Sequence, residues 1–401
     1  MIMNKIIDKK FFSENVCCLE IEAPLIAKSR RAGHFVIVRV DEHSERMPLT
    51  IAGADPVKGT IMLVVQRIGV SSSKLCAMNV GDSLTDLVGP LGKATHIENF
   101  GTVVCACGGV GAAPMLPIAE ALKKAGNRVI TVLAARNKDL IILKDELAQW
   151  SDEVIVMTDD GSMGQQGVVT VGVEQVIQRE QVDKCITIGP ASMMKFVSLT
   201  TAKYNIPTDA SLNTIMVDGT GMCGACRVTI GGQTKFVCVD GPEFDAHQVD
   251  WDEMMSRLRS YKPEEALAMD QYQQSLKPLT AKDRVAIPRV KMNELTPEVR
   301  VRSIHAEVNQ GLTFEQALTE AKRCLDCVDP SCMKGCPVGI NIPTFVKHIE
   351  KGEFDEAIQT IKKTSSLPAV CGRVCPQEKQ CEGQCIKLKM KQKAVAIGYL
   401  E

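Results

Sequence analysis

Over the first quarter of the chain, apolar positions come in short runs such as Phe35-Val36-Ile37-Val38-Arg39-Val40 and Ile61-Met62-Leu63-Val64-Val65, broken by Gly, Pro and Asp turns. That pattern predicts a small antiparallel β-barrel over residues 1–97. From Gly101 the rhythm changes to strand, helix, strand. Runs at 102–107, 128–134, 153–157 and 184–188 alternate with helical spacing such as that of 115–125, which predicts a doubly wound parallel α/β domain over 98–212. A compact loop segment rich in Gly and Cys follows at 213–249, and the charged, aliphatic-poor stretch 250–297 reads as a helical linker. Phe314, Ala317, Leu318 and Ala321 then mark one face of a helix that runs into a dense cysteine array. Residues 298–401 therefore read as a small, mostly α-helical domain, and the whole as a multidomain protein.

A chain of 401 residues exceeds one typical core, in keeping with this division. The balance of 47 basic against 48 acidic side chains leaves no electrostatic footprint for nucleic acid or for an anionic membrane. No apolar run approaches the length of a membrane span, and Lys5, Asp8, Lys9 and Lys10 interrupt the N-terminal segment. A soluble, cytoplasmic protein is expected. In a reducing compartment its 17 cysteines would be free for metals or catalysis rather than locked in disulfides. Six of them, Cys17, Cys18, Cys76, Cys105, Cys107 and Cys185, lie in apolar, strand-like surroundings and read as small buried hydrophobes.

The other eleven fall into two arrays. Asp218, Cys223, Cys226 and Cys238 follow the plant-type [2Fe–2S] spacing, with aspartate in the first position. Gly219, Gly221 and Gly224 supply the tight turns that a loop wrapped around a cluster needs. A three-thiolate zinc site and an Asp218 that only caps a turn are the competing readings. Further on, Cys324-x2-Cys327-x4-Cys332-x3-Cys336-Pro337 differs from the bacterial two-cluster ferredoxin run only in its central spacer, and Cys371, Cys375, Cys381 and Cys385 supply the complement. Eight such cysteines imply two [4Fe–4S] clusters, with Cys336 crossing to the cluster that Cys324, Cys327 and Cys332 do not serve. Zinc is again the alternative, although no His lies inside either run.

Two further signatures are of nucleotide type. Gly108-Gly109-Val110-Gly111-Ala112-Ala113-Pro114 follows one strand and opens a helix, so that backbone N–H groups can approach a pyrophosphate, and Gly189-Pro190 ends a later strand facing the same crevice. Arg136 and Lys138 follow the second strand, where their charge hints at the 2′-phosphate of NADP(H). In the first domain Arg46, Pro48, Leu49 and Thr50, together with Leu63, Val64 and Val65 and with Gly69, Ser71 and Ser72, are candidates to hold a second phosphate-bearing ligand.

A barrel followed by such a sheet resembles the ferredoxin-reductase family of flavoproteins over residues 1–215. The resemblance implies FAD in the barrel and NAD(P)H on the sheet, with Thr50 at the flavin and Arg46 at its pyrophosphate; Leu49 stands where that family has an aromatic, and Arg46 sits one position early. The first 260 residues or so, with Asp-Gly-Thr-Gly-Met-Cys-Gly-Ala-Cys-Arg at 218–227, resemble the small, NAD(H)-handling subunit of NADH-dependent ferredoxin:NADP⁺ oxidoreductases and the electron-transfer subunit of type B dihydroorotate dehydrogenases. Residues 295–401 resemble the N-terminal iron–sulfur domain of the glutamate synthase small-subunit family. That likeness assigns Cys324, Cys327, Cys332 and Cys385 to one cluster and Cys336, Cys375, Cys381 and Glu401 to the other, with Cys371 a spare thiol.

Taken together, the resemblances imply an oxidoreductase in which hydride passes from NAD(H) to FAD and electrons leave singly through the [2Fe–2S] and [4Fe–4S] centres. No acid–base constellation is needed, because the cofactors carry the chemistry. The implied partner is a second flavin- and NADPH-binding subunit or domain, a catalytic dehydrogenase acting on dihydroorotate or sulfide, or ferredoxin. A reading of another class is a non-catalytic docking module that holds zinc.

Overall fold

Strand-forming runs of the first ninety residues make a six-stranded antiparallel sheet: β1 (Ile6–Ser13), β2 (Val16–Glu22), β3 (Phe35–Arg39), β4 (Met47–Asp55), β5 (Thr60–Gln66) and β6 (Asp86–Leu91), in the order β1-β2-β5-β4-β3-β6. The computed structural model describes residues 4–42 and 44–401, and the chain divides into two compact units, Met1–Gln273 and Gln274–Glu401. Successive side chains of a strand point to opposite faces. In β2 and β5 both faces are buried, which is why these strands read as continuous apolar runs. Cys17, Leu19, Ile21, Ile61, Leu63 and Val65 share one core with Val36, Val38 and Ile51. Val16, Cys18 and Val64 face the other way. Backbone hydrogen bonds from Ile6 N to Asp82 O (2.9 Å) and from Leu84 N to Asn4 O (3.2 Å) bridge the two edges of the sheet, sparing them open pairing groups.

The second sheet has seven strands: β7 (Thr102–Gly108), β8 (Arg128–Ala135), β9 (Glu153–Thr158), β10 (Gln165–Gln166), β11 (Lys184–Ile188), β12 (Thr208–Ser211) and, after a separate hairpin of β13 (Arg227–Ile230) and β14 (Gln233–Phe236), β15 (Glu243–Asp245). The order β10-β9-β8-β7-β11-β12-β15 is parallel except at β15, and it reverses direction between β7 and β11. Helices Ala112–Lys124, Val169–Arg179 and Ala191–Ala202 pack on the sheet, so residues 103–107 are buried on both faces. The helix Ala112–Lys124 also packs on the first sheet. Its Ala112, Met115, Ile118, Ala119 and Leu122 share one cluster with Cys105 and Leu133 of the second sheet and with Val16, Cys18, Ala52 and Val64 of the first.

On β15, Glu243 accepts a hydrogen bond from Thr95 Oγ1 (2.7 Å). Burial pushes its carboxyl up to about 7, Asp209 adds to the rise, and the Thr95 bond and Lys184 oppose it. The folded state therefore holds a proton that the unfolded chain has released, and stability falls as pH rises from the ordinary carboxylate range to about 7. Glu243→Gln is expected to flatten that slope and to raise the melting temperature above pH 7. Melting curves of the two proteins across this window check it; parallel slopes refute it.

In the C-terminal unit, helices Phe314–Ala321, Ile342–Lys351 and Phe354–Lys362 close on a core of Ile340, Phe345, Val346, Ile349, Ala357 and Ile361. Local chemistry sets their ends. Thr313 and Gln316 form a reciprocal N-terminal cap, Asn341 caps the next helix through Thr344 N, and Gly352, at φ +80°, ends it in the left-handed conformation. The stretch 250–297 divides between the units. Trp251 and Met254 pack in the core of the first, and Arg284 is buried in the second, paired with Glu350 at 2.8 Å. The helix between, Lys262–Leu276, buries nothing. Among the described residues no helix is long and apolar enough to cross a membrane.

Candidate functional site

The reversal of strand order places the ends of β7 and β11 side by side, Cys107 pairing with Ile188. This is where open α/β sheets bind ligands. Gly108 ends β7, Gly109–Gly111 form a 3₁₀ turn, and the helix Ala112–Lys124, carrying Ala112, Ala113 and Pro114 in its first turn, begins there. A Cβ on Gly111 would overlap the Ile188 carbonyl oxygen, and one on Gly108 would overlap the Met193 sulfur. Gly111 thus lets the turn press against the end of β11. Gly189 and Pro190 close the opposite wall, ahead of the helix Ala191–Ala202. Arg136, just past β8, accepts a backbone hydrogen bond from Asp160 (3.3 Å). Asp160 itself is held below the usual carboxylate range by the Ser162 hydroxyl and backbone N–H. The sequence reading missed this acidic neighbour and also Met193.

The candidates on the first sheet separate. Pro48, Leu49 and Thr50 lie on β4, half-buried, opposite Ile37, Val36 and Phe35 of β3. Gly69 precedes the helix Val70–Ala77, where Ser72 Oγ accepts from Gly69 N and Ile68 N (both 3.0 Å), so that hydroxyl closes a cap, while Ser71 is buried. Leu63 and Val65 are core residues and Val64 points toward the helix Ala112–Lys124. Arg46 donates through Nε to the Val217 carbonyl (2.9 Å) and reaches Asp86 at 3.4 Å, so it ties the first sheet to the loop bearing Asp218.

That loop lies on β3. A Cβ on Gly219 would meet Ile37 Cγ1 at 2.7 Å, and Gly219 has φ +84°. Cys226 and Cys238 stand 3.1 Å apart, sulfur to sulfur, and Cys238 N donates to Cys226 Sγ at 3.4 Å. Burial and the neighbouring Cys226 push the Cys238 thiol up to about 12. Cys223 is exposed, and the N–H groups of Ala225 and Asp218 hold its thiol below the ordinary value. Asp218 Oδ2 accepts from Thr220 N (2.9 Å), Thr220 Oγ1 (2.5 Å) and Met222 N (3.2 Å), so this carboxylate stays ionised and one of its oxygens braces the turn.

In the C-terminal unit, Cys324, Cys327, Cys332 and Cys385 line one cavity with Ile342, Val346 and Ile397. Burial, then the charges of Cys324 and Cys385, push the Cys332 thiol up to about 12. Lys387, absent from the sequence reading, lines the same cavity and is almost wholly buried, its ammonium donating to the Arg284 carbonyl at 2.9 Å. A second set gathers Cys336, Cys375, Cys381 and Glu401. Burial pushes Cys381 up to about 12, and charge on Glu382, Cys336 and Glu401 adds to it. Burial also raises the Glu401 carboxyl, whose Oε1 has no hydrogen-bond partner among the described residues. The chain at Glu401 passes within 3.3 Å of where a Gly372 Cβ would stand, a tight approach. Cys371 lies beside Cys375, with Ser365 Oγ at 3.9 Å. Among the described residues no three His, Cys, Asp or Glu side chains lie close enough to hold a single metal ion. The four thiols of the first set line a cavity.

Three family profiles match the chain: an oxidoreductase NAD-binding domain at 106–199, the iron–sulfur cluster binding domain of dihydroorotate dehydrogenase B at 213–250, and dihydropyrimidine dehydrogenase domain II, 4Fe-4S cluster, at 300–401. The chain is 46% identical over 270 residues to a Thermotoga maritima homolog of the dihydroorotate dehydrogenase B (NAD⁺) electron transfer subunit, spanning 67% of this chain and 95% of that protein. Identity to the corresponding electron transfer subunit of Desulforamulus reducens is 32%, over 62% of this chain and all of that protein. Among solved structures, a chain of the NADH-dependent reduced ferredoxin-NADP oxidoreductase, determined for its bearing on flavin-based electron bifurcation, is 45% identical. It aligns with 69% of this chain and 99% of its own length at a TM-score of 0.65.

Proposed function

Because the chain belongs to the family of dihydroorotate dehydrogenase B electron transfer subunits, we infer that it is an oxidoreductase that moves electrons between NAD(H) and a partner through FAD, one [2Fe–2S] and two [4Fe–4S] clusters. Bound in these sites, FAD would supply hydride exchange with nicotinamide and the clusters one-electron transfer. The chain's own residues bind, space and shield. The glycines at 108, 109 and 111 admit a pyrophosphate to the start of the helix Ala112–Lys124, and NAD(H) is the nicotinamide proposed, with the ionised Asp160 offsetting the charge of Lys138. With Gly219 against Ile37, the first cysteine loop rests on β3, the strand paired with the flavin candidates Pro48, Leu49 and Thr50 on a barrel-like first sheet. This reading makes the flavin and the [2Fe–2S] loop neighbours.

The observation that carries this reading is the sorting of the C-terminal thiols. Cys385 joins Cys324, Cys327 and Cys332 around one cavity, while Cys336 leaves its sequence neighbours for Cys375, Cys381 and Glu401. Such crossing suits two cubane clusters. A zinc ion, with Zn–S bonds of about 2.3 Å, needs its four ligands tightly converged. Thiols whose values burial has raised are poor free thiolates, and metal binding supplies the charge that ionises them. The partner is a second flavin-bearing subunit, as the ferredoxin-NADP oxidoreductase similarity suggests, or a dihydroorotate dehydrogenase catalytic subunit. Oxygen-free purification should give a brown-yellow protein with stoichiometric FAD, iron and acid-labile sulfide, bleached by NADH. A colourless, zinc-containing preparation overturns the reading.

Glu401 is proposed as the fourth ligand of the second [4Fe–4S] cluster, since its buried Oε1 has no hydrogen-bond partner among the described residues. Glu401→Ala is expected to lose the iron and EPR signal of that cluster alone. Full iron content with an unchanged spectrum would remove Glu401 from the ligand set.

A further inference from the structure

Six cysteines lie outside the cluster arrays, and two of them meet. Cys17 of β2 and Cys76 near the end of the helix Val70–Ala77 stand with their sulfurs 2.9 Å apart, though 59 residues separate them in the chain. Both are buried, in the core of the first sheet. We propose that Cys17 and Cys76 are a redox-active dithiol, closed to a disulfide by a peroxide.

The surroundings give the two sulfurs different roles. The Arg67 guanidinium reaches the Cys76 sulfur, and Lys9 donates to the Cys76 and Met78 carbonyls at 2.7 and 2.6 Å. The Cys17 thiol donates to the Cys76 sulfur; this bond, then Arg67 and Lys9, pull the Cys76 thiol below its ordinary value, while Cys17 is pushed up. The Arg67 guanidinium stands on the Cys76 side of the pair and Lys9 holds the Cys76 carbonyl, so Cys76 is the attacking thiolate and Cys17 the resolving thiol. Arg67 is itself exposed, so a single side chain separates the Cys76 sulfur from water. Cys105, Cys107 and Cys185 offer the contrast. Each is fully buried and its thiol is raised chiefly by burial, which the Lys184 charge only partly opposes at Cys185.

The chemistry balances with hydrogen peroxide as oxidant. The Cys76 thiolate attacks one peroxide oxygen and the O–O bond breaks, leaving a sulfenic acid and a hydroxide that takes the proton Cys76 had released. The Cys17 sulfur then attacks the Cys76 sulfur. The S–O bond breaks, the S–S bond forms, and the hydroxyl leaves as water with the proton of Cys17. Two thiols lose two electrons and two protons, and one peroxide becomes two waters. The product pins β2 to the helix that begins beside Gly69, Ser71 and Ser72.

The test uses the full-length protein, purified without oxygen and treated with a small excess of hydrogen peroxide. Free thiols are alkylated in denaturant and the digest is mapped by mass spectrometry without reductant. A linked peptide joining Cys17, and not Cys18, to Cys76 is expected; it should vanish on reduction, with Cys105, Cys107 and Cys185 alkylated throughout. Cys17→Ser should leave a Cys76 sulfenic acid that dimedone traps, whereas Cys76→Ser should leave Cys17 an unreacted thiol. Complete alkylation of both Cys17 and Cys76 in peroxide-treated wild type overturns the proposal, as does a Cys17–Cys18 bond. That map needs no variant, so the result stands even if a substitution prevents folding.

Discussion

Arg323→Met is expected to lower the stability of the C-terminal unit by about 3–5 kcal/mol, the range for stripping one partner from a buried ion pair. Arg323 is 1% exposed and Glu320 fully buried. The guanidinium contacts Glu320 and donates to the carbonyls of Ile287 (3.1 Å), Ala394 (2.7 Å) and Lys393 (2.6 Å). Glu320 in turn accepts from Val290 N (2.7 Å) and Ala396 N (2.8 Å). One pair thus fastens 287–290 and 393–396 to the helix Phe314–Ala321. Removing the cation leaves the buried Glu320 carboxylate without its ion-pair partner and orphans the Ile287 and Lys393 carbonyls, while Ala394 keeps a bond from Arg289 (3.2 Å). Anaerobic urea unfolding, followed by loss of cluster absorbance, measures the change. The double variant Glu320→Leu/Arg323→Met should recover part of the loss, because no bare charge remains. A single variant as stable as wild type would show that water reaches the pair.

Gly111→Val is expected to slow reduction of the flavin by NADH roughly a hundredfold, the cost of a displacement of about 1 Å at a reacting centre, while flavin and iron contents stay normal. The new side chain cannot coexist with the Ile188 carbonyl, so the turn must move away from β11 and the crevice lose its shape. Gly109→Ala is the informative control. Its Cβ meets nothing within 4 Å, and only the left-handed φ of +55° opposes it, at about 1–2 kcal/mol. A much smaller kinetic effect is expected there. Stopped-flow reduction of the two variants separates steric closure from backbone strain, and equal rates would refute the crevice geometry.

Much of this architecture is legible in the sequence because burial on both faces writes itself as uninterrupted apolar runs. β3, β5, β7, β8, β9 and β11 fall within a residue or two of the runs that announce them. The cysteine sets are legible for another reason: a cluster fixes the spacing of the residues that wrap it. What escapes are pairings made by packing. Nothing near Cys17 or Cys76 announces the other, since their meeting depends on how a helix settles on a sheet. Arg284 lies in a stretch whose charge suggests a solvated tether, yet it is buried against Glu350 and the backbone beside Cys324. Lys387 has the same disguise in the wall of the thiol-lined cavity. Charged residues are seldom buried, so composition misleads where they are. Asp218 is legible as a member of its spacing, while the brace it gives Thr220 and Met222 belongs to the loop's folded turn.

The helix Ala112–Lys124 belongs to two neighbourhoods at once, with one flank against β7 and β8 and another against Val16, Ala52 and Val64. Neither sheet is consequently a detachable cassette. Cutting the chain between them would strip a shared wall from both, baring Cys18 and Val64 on one fragment and Met115 and Leu122 on the other. Shuffling the second sheet onto a foreign partner for the first would have to transplant that wall as well.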